Sequence, residues 1–340
     1  MTDVSSDGPL PVGVIGCGRM GLLHARVYSQ MPQVRLVGLF DADRDVANAA
    51  MEKHGDEVFD SIEAMAERVQ AVTIATPTQF HADIAEPLLR RGVHCLIEKP
   101  LAKDVDEARQ ICAWAKEHKA VVQVGHIERF NPIVRSMSKL AVEPRFIEVI
   151  RISPLTFRSI DVGVVLDIMI HDIDIVLKLA RSNVARVDAI GVSVIGGPED
   201  ICNARLTFEN GCVANLTASR LALKTERRLR VFSPDAYVSL DYQKKYGIVA
   251  RKTGNLAAIR DAVARARAGE IEDMSQLNFA ELVNVEELQI DDTEPLRAEL
   301  DSFVDAIRNG TPPEVPAEDG LAAVECATRI VEAIQHQKLD

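Results

Sequence analysis

The 340-residue chain exceeds the usual size of a single folding unit, so two domains are expected. Hydrophobic residues make up 47% and charged residues 26%, a globular composition that excludes disorder and collagen-like repeats. Lys+Arg number 39 against 51 Asp+Glu, and the formal charge of −12 argues against a nucleic-acid or anionic-membrane binder, whose surface has to be basic.

The first third alternates apolar runs with helical segments. Residues 12–15, 34–40, 71–75, 93–97 and 120–124 are rich in Val, Ile and Leu with little polar alternation, the pattern of strands buried on both faces. Segments 21–30, 43–54, 62–68, 81–91 and 105–118 read as the helices between them. This alternation predicts an α/β fold with a parallel sheet over residues 9–130. Strands are predicted at 146–153, 184–193, 204–209, 212–219, 229–232, 236–241 and 282–291, with a turn signal at Glu209-Asn210-Gly211. They predict an α+β domain over 131–338 with an open, mostly antiparallel sheet, and residues 253–278 read as helix and loop. Two helices, 295–308 and 318–336, close this domain on either side of Asn309-Gly310-Thr311-Pro312-Pro313.

No apolar run approaches the roughly 18 residues that a membrane helix needs. Residues 1–9 are polar and acidic, which predicts no signal peptide and a cytoplasmic location. Six cysteines lie scattered without a C-x-x-C pair, so neither a disulfide framework nor a zinc site is expected. The eight histidines show no metal-ligand spacing, and no metal is expected.

Chemistry first declares itself after the opening strand. Gly16, Gly18 and Gly21 form G-x-G-x-x-G, with Arg19 and Met20 between the last two, at the start of a helix. Such a turn brings backbone N–H groups and a helix N-terminus to a pyrophosphate. Asp41, twenty residues beyond Gly21 and at the end of the second strand, is placed to accept hydrogen bonds from ribose hydroxyls and to repel a 2′-phosphate. NAD is therefore the expected cofactor, with Arg44 as the counter-signal for NADP.

Two further clusters follow. Glu98-Lys99-Pro100 lies just after a buried strand, where ligands of open α/β sheets sit, and a partly desolvated lysine there can exchange protons near neutrality. A solvated ion pair capping the strand is the plain alternative. In the run 163–174, Asp167, His171 and Asp174 fall on one face if the segment is helical, so that Asp167 can orient His171 for acid–base work on an alcohol. A half-buried structural histidine is the alternative there.

The glycine turn, Ala75-Thr76-Pro77, Glu98-Lys99-Pro100 and Asp-x-x-x-His at Asp167–His171 together resemble the glucose–fructose oxidoreductase / inositol dehydrogenase family over nearly the whole chain. The resemblance implies that Lys99, Asp167 and His171 are catalytic. It implies that Thr76, Pro77, His81, Glu98 and Gln123 line the nicotinamide end of the site. It also implies an open-faced sheet that mediates homodimer or homotetramer contacts.

A narrower resemblance rests on Gly16–Gly21 with His24–Tyr28, on Gly125–Pro132 and on Asp161–Asp167. It points to dehydrogenases that oxidise the 3-hydroxyl of UDP-N-acetylglucosamine ahead of a partner aminotransferase in lipid A or amino-sugar synthesis. Arg158, Arg129, Asn131 and Arg220 are then the candidates for a nucleotide-sugar diphosphate. UDP-sugar uronate 3-dehydrogenases, inositol or simple-sugar dehydrogenases, and a non-catalytic dinucleotide-binding regulator are the alternatives.

Overall fold

A computed structural model of the chain describes residues 8–54, 57–156, 162–252, 256–269 and 283–336. In chain order it opens with β1 (Leu10–Ile15), α1 (Arg19–Tyr28), β2 (Val34–Phe40), α2 (Arg44–His54) and α3 (Ile62–Ala66). Next come β3 (Ala71–Ile74), a 3-10 turn (Thr78–Phe80), α4 (His81–Leu89), β4 (His94–Glu98), α5 (Val105–Glu117), β5 (Val122–Gly125) and a second 3-10 turn (Ile127–Phe130). The strands form a parallel five-stranded sheet in the order β2-β1-β3-β4-β5.

The chain continues through α6 (Pro132–Ser138), β6 (Phe146–Ile152), a π-helical turn (Val165–Met169), α7 (Ile170–Ala180), β7 (Val184–Val192) and β8 (Ile201–Phe208). It then forms β9 (Val213–Ser219), β10 (Glu226–Phe232), β11 (Ala236–Asp241), β12 (Tyr246–Lys252), α8 (Leu256–Arg267) and β13 (Val283–Glu287). These strands make an eight-stranded sheet, β13-β12-β11-β10-β6-β9-β8-β7, antiparallel except where β6 meets β9. The α+β sheet read from the sequence is thus present, with β12 and α6 added. Gly247 hides β12 from a propensity reading, yet a side chain there would run into Leu240 and Leu288.

Two helices complete the described chain, α9 (Pro295–Asn309) and α10 (Ala317–His336). The sequence reading assigns them to the second domain. The compact units divide the chain differently, with Thr293–Glu332 joining residues 1–131 and Ile173–Ile175 in unit 1. The physical reason is burial. Leu296, Leu300, Phe303, Val304 and Ile307 of α9 share one apolar cluster with Val12, Val14, Ala25, Tyr28, Leu36 and Leu96. Each such side chain contributes about 1.5–3 kcal/mol when withdrawn from water. On the other face of the same sheet, Val315, Ala317 and Val324 pack with Ile15, Ile74, Ile97, Val124 and residues of α3, α4 and α5. The Val124 N–H donates to Val315 O at 2.9 Å, which covers the exposed edge of β5.

Candidate active site

The glycine turn has the geometry that its spacing predicts. Gly16 adopts φ +91°, where a β-carbon would lie 2.6 Å from Ala75 O. A β-carbon on Gly21 would sit 1.7 Å from Gly16 O, so α1 can approach the turn only with glycine there. At Gly18, the N-cap of α1, no protein atom lies within 4 Å of that position, and the backbone is open to a ligand. Arg19 and Met20 form the first turn of α1.

At the end of β2, the Asp41 carboxylate accepts from Cys17 N at 2.7 Å and Asp43 N at 2.9 Å, which fixes it beside the turn with lone pairs to spare. Arg44 pairs with Asp60, so its guanidinium is occupied there. Thr76 Oγ1 is buried without a hydrogen-bond partner in the protein, and its methyl carbon borders Gly16. An open helix N-terminus, a fixed acid and an unsatisfied hydroxyl around one turn fit a dinucleotide.

The strand ends β3 and β4 carry the rest of this set. Pro77 is exposed ahead of the 3-10 turn. His81 is buried, with Nδ1 3.0 Å from Pro100 O and Nε2 3.0 Å from Thr76 O, so its ring braces two loops. Burial pushes the His81 imidazole below its usual range, with the carbonyls of Thr76, Pro100 and Leu101 and the charge of Glu98 opposing. Lys99 is half-buried just past β4. Glu98 turns inward. Its Oε1 lies 3.1 Å from His24 Nε2, and its Oε2 accepts from Lys99 N at 3.2 Å. Gln123 is fully buried, donating to Glu299 O at 2.7 Å and accepting from Ser302 Oγ at 3.0 Å. Glu98, His81 and Gln123, expected at the nicotinamide end, therefore have their polar atoms bound within the protein.

Arg129 corrects an expectation. It donates from Nε and Nη2 to Asp174 at 2.6 and 2.7 Å and from Nη2 to Asp319 at 3.0 Å, with 6% of its surface exposed. It is a buried structural ion pair and not a free cation for a diphosphate. Asn131 donates to Glu128 Oε2 at 3.0 Å.

In unit 2, Asp167 lies in the π-helical turn and His171 in the first turn of α7, both half-buried. The sequence reading put Asp167, His171 and Asp174 on one α-helical face. The segment carrying Asp167 is a π turn rather than α-helix, and such turns concentrate at functional sites. Glu199 caps the segment, accepting from Val165 N at 3.1 Å through Oε1, while its backbone carbonyl accepts from Val164 N at 3.0 Å. Behind His171, Asp172 receives a bidentate fork from Arg151 of β6 at 2.7 and 2.8 Å. Arg151 lies 5.7 Å from the Tyr242 ring. Arg220 is likewise buried, engaged by Asp200 at 3.5 Å and by Val162 O. Arg158 and Asp161 lie outside the described residues.

Among the described residues no cluster of three or more His, Cys, Asp or Glu side chains could hold a metal, and all six cysteines are unbridged. No helix among them is long and apolar enough to cross a membrane. The sequence reading gives no role to His24, Glu299, Arg151 or Asp172. The signal for His24 was available: with Tyr28 it puts two polar side chains, one helical turn apart, on the buried stripe of α1.

The glycine turn, Asp41 and the parallel sheet define a dinucleotide-binding Rossmann fold. Comparison with known proteins places it further. Residues 10–126 match the model for an oxidoreductase family with an NAD-binding Rossmann fold, and residues 155–238 match a GFO/IDH/MocA C-terminal domain. The chain belongs to the GFO/IDH/MocA oxidoreductase family.

It is 37% identical to the UDP-N-acetylglucosamine 3-dehydrogenase of Acidithiobacillus ferrooxidans over 77% of this chain and 86% of that protein. A solved structure of that A. ferrooxidans enzyme superposes with a TM-score of 0.85, at 30% identity over 96% of this chain and 97% of the other. The inositol 2-dehydrogenase of Rhizobium meliloti is 27% identical over 96% of this chain and 97% of its own length.

Proposed function

We propose that this enzyme oxidises the 3-hydroxyl of UDP-N-acetylglucosamine to a 3-keto nucleotide sugar with NAD. The observation that carries this reading is the 37% identity to a UDP-N-acetylglucosamine 3-dehydrogenase over most of both chains, against 27% for an inositol 2-dehydrogenase. Gly16, Gly18 and the first turn of α1 would hold the pyrophosphate, Asp41 the adenosine ribose, and Thr76 and Pro77 the nicotinamide half. Bound NAD supplies the hydride acceptor.

The chain's own residues handle the proton. Lys99 Nζ or the His171 imidazole takes it from the hydroxyl as the carbon–hydrogen bond breaks with its electron pair. Asp167 orients His171 and offsets the charge it acquires. Arg158 and Asn131 are the proposed contacts to the diphosphate. The ketone suits a partner aminotransferase that installs an amine at that carbon. The aromatic cluster of Phe146, Phe232 and Tyr237, with centroids 5.5 and 5.0 Å apart, sits on the sheet face proposed to pair copies of the chain in a cytoplasmic homodimer or homotetramer.

The test is turnover. The protein is incubated with NAD and, separately, UDP-N-acetylglucosamine, UDP-sugar uronates, inositols and free hexoses, with an aminotransferase added to draw off any ketone. Reduced nicotinamide is followed by absorbance. A response to UDP-N-acetylglucosamine supports the reading; a response to inositols alone overturns it.

A further inference from the structure

Beneath the strand end that carries Lys99 runs a chain of buried polar groups that none of the roles above uses. Tyr28 and His24 project from α1 towards the sheet, where the Tyr28 hydroxyl lies 3.0 Å from Thr73 Oγ1. Burial pushes the Tyr28 phenol up, and either hydroxyl of this pair can serve as the donor. Thr73 Oγ1 lies 3.3 Å from His24 Nδ1, and His24 Nε2 lies 3.1 Å from Glu98 Oε1. The other carboxylate oxygen receives the Lys99 N–H. Opposite Glu98 on the next strand is Gly125, where a β-carbon would fall 3.0 Å from the carboxylate. The neighbouring strand thus leaves room for the acid.

A second acid completes the cluster. Glu299 of α9 is fully buried, and neither of its carboxyl oxygens has a hydrogen-bond partner. Burial and then the charge of Glu98 push the Glu299 carboxyl well above its usual range. Burial works against ionisation of Glu98 too. There the hydrogen bond and charge of His24, the charge of Lys99 and its N–H prevail and hold the carboxyl below the usual range. The other titratable groups facing the cluster are His81, which is lowered by burial, and His126, likewise lowered by burial. An apolar filling of the same volume would be easier to fold. The expense is concentrated at one place, the main chain and charge environment of Lys99.

We propose that His24 is a positioning residue that acts through Glu98. The Tyr28–Thr73–His24–Glu98 chain clamps the backbone of Lys99 and keeps a fixed negative charge beside its amino group. The hydrogen bond from Lys99 N to Glu98 holds the strand end from which the Lys99 side chain reaches the hydroxyl. The catalytic part of this inference rests on the assignment of Lys99 above; the clamp itself does not.

Two measurements on the full-length protein separate these layers. In the first, His24→Leu and Glu98→Gln are compared with His24→Gln, whose side-chain amide can still donate to Glu98. Expected is a roughly 10–100-fold fall in kcat with NAD affinity near wild type, together with a larger deuterium isotope effect with substrate labelled at C3. His24→Gln should recover most of the loss. In the second, acetylation of Lys99 by an amine-reactive ester is timed by peptide mass spectrometry, a readout that needs no substrate. Glu98→Gln removes the neighbouring anion and should speed labelling about 3–10-fold. Unchanged kcat, isotope effect and labelling rate in Glu98→Gln would overturn the proposal, and this variant carries the test even if His24→Leu does not fold. Wild-type turnover in Lys99→Met would instead refute Lys99 as the base and leave the labelling result to judge the clamp.

Discussion

The molecule buries charge in two contrasting ways. In unit 2, Arg151 and Asp172 meet as a two-pronged fork in which each charge has its counter-charge and its hydrogen bonds. In unit 1, Glu98 and Glu299 bring two acids into one interior with His24, and the Glu299 carboxyl, raised by burial, has no hydrogen-bond partner. The first arrangement is balanced and holds the segment carrying His171 onto its sheet. The second carries strain in its protonation and lies under Lys99. A balanced pair marks architecture; an unbalanced one marks where the protein keeps charge in tension.

The contrast breaks first at its balanced end. Asp172→Ala takes away the buried carboxylate that receives the Arg151 fork and should cost about 3–5 kcal/mol of unfolding free energy in urea melts. The double variant Arg151→Met with Asp172→Leu should recover most of that loss, and a double variant no better than the single one would show that the pair does more than balance charge. Asp41 sharpens the comparison as an acid tied by two backbone N–H groups yet left half-exposed. Asp41→Ala should weaken NAD binding roughly 10–100-fold in fluorescence titrations, the worth of hydrogen bonds to a charged acceptor, and weaken NADP binding less.

At the unbalanced end the sign reverses, because Glu299→Leu should stabilise. The folded state raises the Glu299 carboxyl, so its contribution is fully present below the unfolded value near 4.3 and is lost as pH rises through the folded value. The gain in unfolding free energy of the variant over wild type should therefore be small at pH 4 and widen towards pH 8, reaching about 1–2 kcal/mol. Glu98, lowered in the folded state, acts in the opposite sense and contributes stability that is lost as pH falls. The smallest effect belongs at the surface. Arg109 and Glu325 pair at 2.8 Å with both side chains well exposed, and Arg109→Ala should change stability by no more than about 0.5 kcal/mol.

What could be read from the sequence was local. The β1–glycine turn–α1 unit and Asp41 are legible because strand, turn and helix start are set by neighbours in the chain and by the few residues that fit a positive φ. The two sheets were legible from runs and alternation. Partnership across the chain was not. The apolar stripe of α9 says that Leu300 and Phe303 are buried, but not that they are buried against β1 and α1. Nothing local distinguishes an arginine that waits for a phosphate from Arg129, which is claimed by Asp174 and Asp319. Likewise, residue type alone could not show that Gln123 is tied to α9. The π turn at Val165–Met169 was hidden for a different reason, since apolar spacing at 3.6 residues does not reveal an extra residue in one turn.

The assignment of Thr293–Glu332 to the same unit as residues 1–131 has a consequence for synthesis. A nascent chain that has released β1 to β5 from the ribosome still lacks the helix that covers Val12, Val14 and Leu36. At translation speeds of ~5–20 residues per second, that apolar face waits roughly 10–30 s for its cover while the intervening sheet is made. During that interval the half-built dinucleotide fold is a natural client for chaperones, and the intervening domain can fold before the one that was begun first.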